Sequence, residues 1–121
     1  MPRAILDESR IHPAIRDKVA RHEEGIVREV QQALERHAVV VVGMAMNPYP
    51  AKARKALQAA GIAHEYLEYG SYFSQWRQRN ALKLWSGWPT FPMVFVKGSL
   101  VGGADDLAAL IKNGELQKLL A

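Results

Sequence analysis

The pattern of apolar and polar residues predicts alternating helices and strands, beginning with helices before residue 37. Apolar residues after Pro13 recur at spacings that fit one helical stripe, at Ile15, Val19, Ile26, Val30 and Leu34. Pro13 suits the first turn of a helix, because the N–H that it lacks has no intrahelical acceptor there. Gly25 is expected to divide the stripe into a polar leader helix and a core-facing helix.

A strand, a helix and a second strand are predicted next. The run Ala38 to Val42 is continuous and rich in β-branched residues, as in a strand covered on both faces. An apolar helix face follows at Ala53, Ala56, Leu57 and Ala60, and Gly61 is placed to end that helix. Ile62 to Leu67 then alternates as a strand does. Together they form a βαβ unit, whose crossover is expected to be right-handed.

The remaining chain predicts a helix, a hairpin and a closing helix. The first helix runs from Gln75 to Trp85, and Trp76, Leu82 and Trp85 are its candidates for burial. Strands at residues 93–96 and 99–101 are joined by a tight turn at Lys97-Gly98. A helix from Asp105 to about Lys112 and a short turn from Glu115 to Leu120 complete the pattern.

Composition limits the classes of function. With 121 residues, of which 49% are hydrophobic, one compact domain is expected. The sequence contains no cysteine, which excludes a disulfide framework and thiol chemistry by the protein itself. Asp7, Glu8 and Arg10 interrupt the start where a secretory signal would be apolar, and no apolar run could span a bilayer. A cytoplasmic protein without membrane contact is expected.

Charge and histidine spacing argue against two further classes. The formal charge is +4, but the basic residues are interspersed with acidic ones, as on solvated helix faces, so no nucleic-acid partner is expected. The histidines are dispersed, with no pair four residues apart, so no metal site is expected. No catalytic serine motif or phosphate-binding loop was found. The oligomeric state is left open.

Three motifs resemble those of the glutaredoxin family: Asn47-Pro48-Tyr49-Pro50, Trp88-Pro89-Thr90-Phe91-Pro92 and Gly102-Gly103-Ala104-Asp105-Asp106. The second and third look most like the monothiol class, whereas Pro-Tyr-Pro looks more like the dithiol loop. The resemblance implies a thioredoxin/glutaredoxin fold of the α/β class, with a mixed four-stranded sheet flanked by helices and an extra N-terminal helix. Residues 1–22 would be an N-terminal extension, and residues 23–121 the glutaredoxin-like domain.

The first motif resembles the family's active loop, Cys-Pro-Tyr-Cys, with both cysteines replaced. Asn47 stands at the position of the nucleophilic cysteine and Pro50 at that of the second. In the family the nucleophile lies at a helix N-terminus, where unpaired N–H groups and the helix dipole favour an anion. Asn47 cannot attack a disulfide; it is either a contact in a thiol-free pocket or only a helix cap. The resemblance places Tyr49 against the substrate.

The other two motifs imply contacts to glutathione or to a peptide. Thr90-Phe91-Pro92 resembles the cis-proline loop, where the residue before the proline offers its backbone N–H and C=O to an extended chain. Gly103, Ala104 and Asp105 correspond to residues that hold the γ-glutamyl end of glutathione. Amides there accept its carboxylate, and the aspartate faces its ammonium. Each segment could instead serve only the fold, with Asp105 as an N-cap.

The glycyl carboxylate of glutathione is met in the family by a lysine near the active loop and by a basic residue on the next helix. Met44 replaces the lysine. Arg79 stands at the spacing from Trp88 where the monothiol class often carries its arginine, and Arg77 and Lys83 are neighbours that could substitute. Arg79 could also be an ordinary surface arginine.

The resulting hypothesis is a glutaredoxin-like protein without the catalytic cysteine, which acts as a non-redox binding module. It would have no intrinsic cofactor, and its ligand would be glutathione or an extended segment of a protein partner. Loss of the lysine and the thiol predicts weak glutathione binding, around millimolar, or roughly 4 kcal/mol. The alternative is a glutathione-dependent redox, electron-transfer or iron–sulfur role, with sulfur supplied by a ligand or partner.

Overall fold

A computed structural model describes residues 2–121 of the chain, which form a four-stranded mixed sheet with helices on both faces. The strands are β1 (Val39–Gly43), β2 (Glu65–Glu68), β3 (Met93–Val96) and β4 (Ser99–Gly102). The helices are α1 (Pro13–Arg21), α2 (Glu24–Arg36), α3 (Pro48–Ala59), α4 (Trp76–Ser86), α5 (Ala104–Lys112) and α6 (Glu115–Leu120). This architecture confirms the expected thioredoxin/glutaredoxin fold.

The strand order is β2-β1-β3-β4. Strand β1 pairs in parallel with β2, with Val42 beside Leu67, and antiparallel with β3, with Val42 beside Met93. Strands β3 and β4 form the predicted hairpin through Lys97 and Gly98, which both have positive φ. The predicted βαβ unit and hairpin are therefore confirmed, although β2 begins at Glu65 rather than at Ile62.

The valine run in β1 serves two cores. Successive side chains of a strand point to opposite faces, so Val40 and Val42 pack toward α2 and α4, while Val39 and Val41 pack toward α3, α5 and α6. On the second face, Leu57 and Leu107 are fully buried. Truncating a buried leucine of this kind to alanine costs about 2–5 kcal/mol.

The leader helix differs from the core helices in burial. Helix α1 contains no buried residue, and Ile15 and Val19 are each 47% exposed. Helix α2 instead buries Ile26 and Val30. The chain breaks at Glu23, where φ is +49°, so the expected break at Gly25 was wrong by two residues. A domain boundary at residue 22 stays a prediction.

Two residue-level expectations were wrong. Trp76 is 58% exposed, because it lies in the first turn of α4, where the helix leaves the loop before it. Leu82 is fully buried as expected, and Trp85 packs against Phe95 with ring centroids 5.9 Å apart. Ala60, assigned to the apolar face of α3, follows the helix and is exposed.

Candidate functional site

A groove of about 550 Å³ opens where three segments meet: the start of α3, the loop before β3 and the start of α5. Eight of the nine predicted site residues line it, namely Asn47, Tyr49, Thr90, Phe91, Pro92, Gly103, Ala104 and Asp105. The fold thus gathers residues that are up to 58 positions apart in sequence. Their contacts to a ligand stay a prediction.

Arg79 is the exception, and its expected place at the groove was wrong. Its side chain is buried, with 7% of the residue exposed, and it is not part of the groove lining. The guanidinium donates to the backbone carbonyl of Tyr69 at 3.0 Å and to that of Ser74. A buried charge needs such acceptors, so Arg79 fixes the loop before α4 and is not a surface arginine either.

Lys83 is the basic residue of α4 that reaches the groove. It lies one turn beyond Arg79, and its Nζ is 5.8 Å from the centroid of the Phe91 ring. Met44, at the position of the family's lysine, is only 5% exposed and lies in the floor. The cationic side of the groove is therefore supplied by Lys83 on α4.

Asn47 joins two walls of the groove. Its Oδ1 accepts from Tyr49 N–H at 2.9 Å, which makes Asn47 the N-cap of α3 as expected. Its Nδ2 donates to the carbonyl oxygen of Phe91 at 3.4 Å, across 44 residues of sequence. Where the family has a nucleophile, this protein has a neutral hydrogen-bonded link between α3 and the loop before β3.

The start of α3 lacks the donors that the family's helix is expected to present. Pro48 and Pro50 have no N–H, and the N–H of Tyr49 is bound by Asn47. Pro50 is also fully buried beside Gly43, where an added Cβ would lie 2.7 Å from Pro50 Cβ. The anion-friendly site inferred at this helix is therefore closed, because its first three positions offer no free amide.

The start of α5, unlike that of α3, has free backbone N–H donors. Gly103 N–H donates to Asp106 Oδ2 at 2.9 Å, and Leu107 N–H makes the first helical bond to Gly103 O at 3.0 Å. Within residues 2–121, the N–H groups of Ala104 and Asp105 donate to no protein acceptor. Two amides at a helix N-terminus thus remain available for a carboxylate.

Asp105 lies at the rim of the groove and forms an ion pair with Lys52 of α3. Lys52 Nζ and Asp105 Oδ1 are 3.3 Å apart, and the side chains are 61% and 83% exposed. A pair so exposed contributes little, about 0–1 kcal/mol. Asp105 can therefore exchange Lys52 for an ammonium group of a ligand at small cost.

The loop before β3 presents an edge to the groove. The Phe91–Pro92 peptide bond is cis, as the resemblance implies. Phe91 O already accepts from Asn47, whereas Phe91 N–H donates to no acceptor among residues 2–121. One of the two backbone groups expected to pair with an extended chain is thus shared, and the other is available.

Trp88 and Tyr72 are among the lining residues that sequence reasoning did not assign to the site. Trp88 lines the groove, and its Nε1 is buried without a hydrogen-bond partner among the described residues. Tyr72 comes from the loop before α4. Trp88 lay within a recognised motif and could have been found there; Tyr72 lies in a segment without periodicity, so nothing in the sequence places it.

A smaller cleft of about 290 Å³ lies behind the start of α3. In it, the Arg54 guanidinium stacks 4.3 Å from the centroid of the Tyr66 ring, and Tyr66 Oη donates to Glu68 at 3.0 Å. Burial, followed by the hydrogen bond to Glu68, raises the pKa of Tyr66 to about 12. Tyr66 therefore stays neutral at physiological pH.

Within residues 2–121 no three His, Asp or Glu side chains are grouped so that they could hold a metal ion. None of the helices described is both long enough and apolar enough to cross a membrane.

The glutaredoxin family model matches residues 39–101. This range includes two segments of the groove, the start of α3 and the loop before β3, and ends before α5. A glutaredoxin-like protein of Dictyostelium discoideum is 47% identical over 91 residues, which cover 75% of this chain and 74% of the relative. This chain belongs to the glutaredoxin family. Among its members it is monothiol-glutaredoxin-like and lacks the active-site cysteines.

Solved glutaredoxins share the fold. Oxidized glutaredoxin 2 from Chlamydomonas reinhardtii is 32% identical, with a TM-score of 0.69, over 81% of this chain and 92% of that one. A buckwheat glutaredoxin–glutathione complex is 21% identical, with a TM-score of 0.70, over 83% and 91% of the two chains. At that identity the second likeness supports the fold alone.

Proposed function

We propose that this glutaredoxin is a non-redox binding module, whose groove holds a glutathione moiety or an extended peptide without forming a covalent bond to it. One observation carries the proposal. The groove has free backbone donors on the sides that would bind a ligand, and it has neither a thiol nor free donors on the side where the family's nucleophile lies. The available donors belong to Ala104, Asp105 and Phe91, whereas Asn47 and two prolines occupy the reactive side.

The donors and charges fit glutathione at its γ-glutamyl end. The amides of Ala104 and Asp105 suit a carboxylate, and the Asp105 carboxylate suits an ammonium. Trp88 lines the same groove and contributes an aromatic wall to it.

The part of the groove that would meet the glycyl carboxylate fits glutathione less well. Only Lys83 supplies a cation there, and Met44 offers no charge in place of the family's lysine. One charge-assisted hydrogen bond contributes on the order of 1.5–3 kcal/mol, so its loss weakens binding by about tenfold or more. The expected affinity for glutathione is thus about millimolar.

The test is an NMR titration of the ¹⁵N-labelled protein with reduced glutathione and with S-methylglutathione, which cannot form a disulfide. Equal shifts for both ligands at Ala104, Asp105, Phe91 and the Trp88 indole are expected, because the sulfur contributes nothing covalent. Glutathione is ruled out as the ligand, and only the extended peptide is left, if neither compound shifts these signals at 10 mM, roughly ten times the expected dissociation constant.

The same protein also tests the redox alternative. Anaerobic reconstitution with iron, sulfide and glutathione would give visible cluster absorbance if sulfur from a ligand sufficed to hold an iron–sulfur cluster. We expect no such absorbance, because each subunit lacks the protein thiolate that would be one of the ligands.

A further inference from the structure

Three large aromatic residues stand exposed beside the groove. Tyr72, Phe73 and Trp76 are 58%, 85% and 58% exposed, and they lie within five consecutive residues before and at the start of α4. We call these three residues the aromatic platform. Clustered exposed aromatic side chains are typical of protein interaction sites, where tryptophan and tyrosine contribute much of the binding energy.

The backbone of the aromatic platform is held by several hydrogen bonds. Ser71 N–H donates to Ser74 Oγ at 3.0 Å, Ser74 N–H donates to Ser71 O at 3.2 Å, and Phe73 N–H donates to Ser71 Oγ at 3.2 Å. The buried Arg79 guanidinium binds Ser74 O and Tyr69 O from below. The loop is therefore organised before any partner arrives, which reduces the entropy lost on binding.

The charged residues in the sequence segment that contains the platform have one sign, although the Glu29 carboxylate of α2 lies against Tyr69 just before it. No aspartate or glutamate occurs between Glu68 and Asp105, and the four charged residues of that stretch are Arg77, Arg79, Lys83 and Lys97. The Arg77 guanidinium lies 5.4 Å from the centroid of the Trp76 ring, and Lys83 lies at the groove. The surface beside the aromatic rings is thus complementary to a negatively charged partner.

The platform is continuous with the groove, because Tyr72 belongs to both. We propose that the platform docks an acidic segment of a partner protein, with a large apolar side chain of that segment against Phe73 and Trp76. The segment then continues in extended form past Tyr72 to the available N–H of Phe91. This last part rests on the proposed function of the groove.

The structure favours a peptide over a nucleic acid. Among the described residues of α4, Arg77 and Lys83 are the cations that are not buried, whereas a nucleic acid gains affinity by neutralising several phosphates. The unpaired Phe91 N–H instead suits an extended polypeptide, which pairs through its main chain.

The first experiment uses a displayed library of random 12-residue peptides as the probe, selected on the wild-type protein and counter-selected on the Phe73→Ala/Trp76→Ala variant. Both side chains are exposed, so this variant is expected to fold. We expect the selected peptides to be enriched in Asp or Glu around a large apolar residue. No enrichment, or enrichment without acidic residues, would overturn the proposal.

The second experiment titrates the most enriched peptide into ¹⁵N-labelled protein and follows the tryptophan indole signals. Trp76 reports the platform and Trp88 the groove. The peptide should shift both, and its affinity should fall at least tenfold in Phe73→Ala/Trp76→Ala. In Leu84→Ala, which removes a 75% exposed apolar side chain eight residues beyond Trp76, the affinity should be unchanged.

The two signals separate the possible failures. Glutathione should shift Trp88 alone, and its affinity should be the same in wild type and in Phe73→Ala/Trp76→Ala. If glutathione leaves Trp88 unmoved while the peptide shifts Trp76, the proposed function of the groove fails and the platform stands. The proposal that the platform docks an acidic peptide would be overturned by a peptide that shifts only Trp88. It would also be overturned by a uridine 12-mer that binds the platform more tightly than the peptide.

Discussion

Two helix N-termini face the same groove, and they have opposite properties. At α5, the amides of Ala104 and Asp105 are available. At α3, a cap and two prolines leave no donor in the first three positions. The dipoles of the two helices are alike, so the difference arises from a few side chains. The comparison shows that this glutaredoxin lacks more than sulfur: it also lacks the amide of residue 50, which would help to stabilise a thiolate at residue 47.

The largest expected effect tests the open end of the groove. Asp105→Arg places a cation where the ammonium of glutathione would lie, so glutathione affinity should fall by at least tenfold, as expected for a lost charged hydrogen bond. The measurement is the NMR titration. Asp17→Arg on α1, where the residue is also exposed, makes the same change of charge and should bind as wild type does. Equal losses in both variants would mean that only net charge matters.

The second prediction tests the closed end. In Asn47→Cys, the new thiol can accept the Tyr49 N–H that Asn47 now binds but no N–H from Pro50, so its pKa should be lowered only in part. In Asn47→Cys/Pro50→Ala, the restored amide should lower that pKa by about one unit, toward values found at helix N-termini. The pH dependence of alkylation by iodoacetamide measures both.

Ser99→Cys, at an exposed position of β4, supplies the reference thiol for that experiment. Identical pKa values in the single and double variants would show that Pro50 does not limit thiolate formation. Urea unfolding of the same proteins establishes that each remains folded, which matters because Pro50 is fully buried.

A smaller effect is expected when the link made by Asn47 is cut. Asn47→Ala removes both the cap of α3 and the bond to Phe91 O, and should lower the free energy of unfolding by about 1–2 kcal/mol. Asn47→Asp keeps the cap but cannot donate to Phe91 O, so its loss should be intermediate. Urea unfolding measures each value.

Asn113 provides the control, because its Oδ1 accepts from Glu115 N–H at 2.9 Å just before α6, also two residues along the chain, but its side chain makes no second bond across the fold. Asn113→Ala should therefore be less destabilising than Asn47→Ala. If the two losses are equal, the bond from Asn47 to Phe91 contributes nothing to stability.

The smallest effect concerns the ion pair at the rim. Lys52→Ala should change the free energy of unfolding by no more than about 1 kcal/mol, and the change should vanish in about 1 M salt, where charges are screened within about 3 Å. Lys55→Ala, on the same helix at an exposed position, gives the effect of the substitution alone. A large, salt-independent loss at Lys52 alone would contradict the weak pairing inferred here.

The sequence predicted the fold well where one physical cause dominated. The valines of β1 are apolar on both faces, which requires a central strand, and the hairpin at Lys97-Gly98 follows from turn chemistry. The cap made by Asn47 followed from residue type and position. Eight site residues lie at the groove because their motifs belong to loops that this fold brings together.

The failures involve contacts that depend on tertiary structure. Arg79 has the spacing of a ligand contact, but the carbonyls of Tyr69 and Ser74 that bind it are placed by the loop, which no periodicity describes. Trp76 has a helical apolar spacing and yet faces outward. The closed end of α3 was predictable, because Pro48 and Pro50 visibly lack N–H groups.

The burial of Pro50 against Gly43 makes a return to thiol chemistry costly in stability. A thiol at residue 47 would remove a helix cap, and an amide at residue 50 would remove fully buried packing, so each change removes something that now supports folding. A return to thiol chemistry is therefore expected to start from a less stable protein.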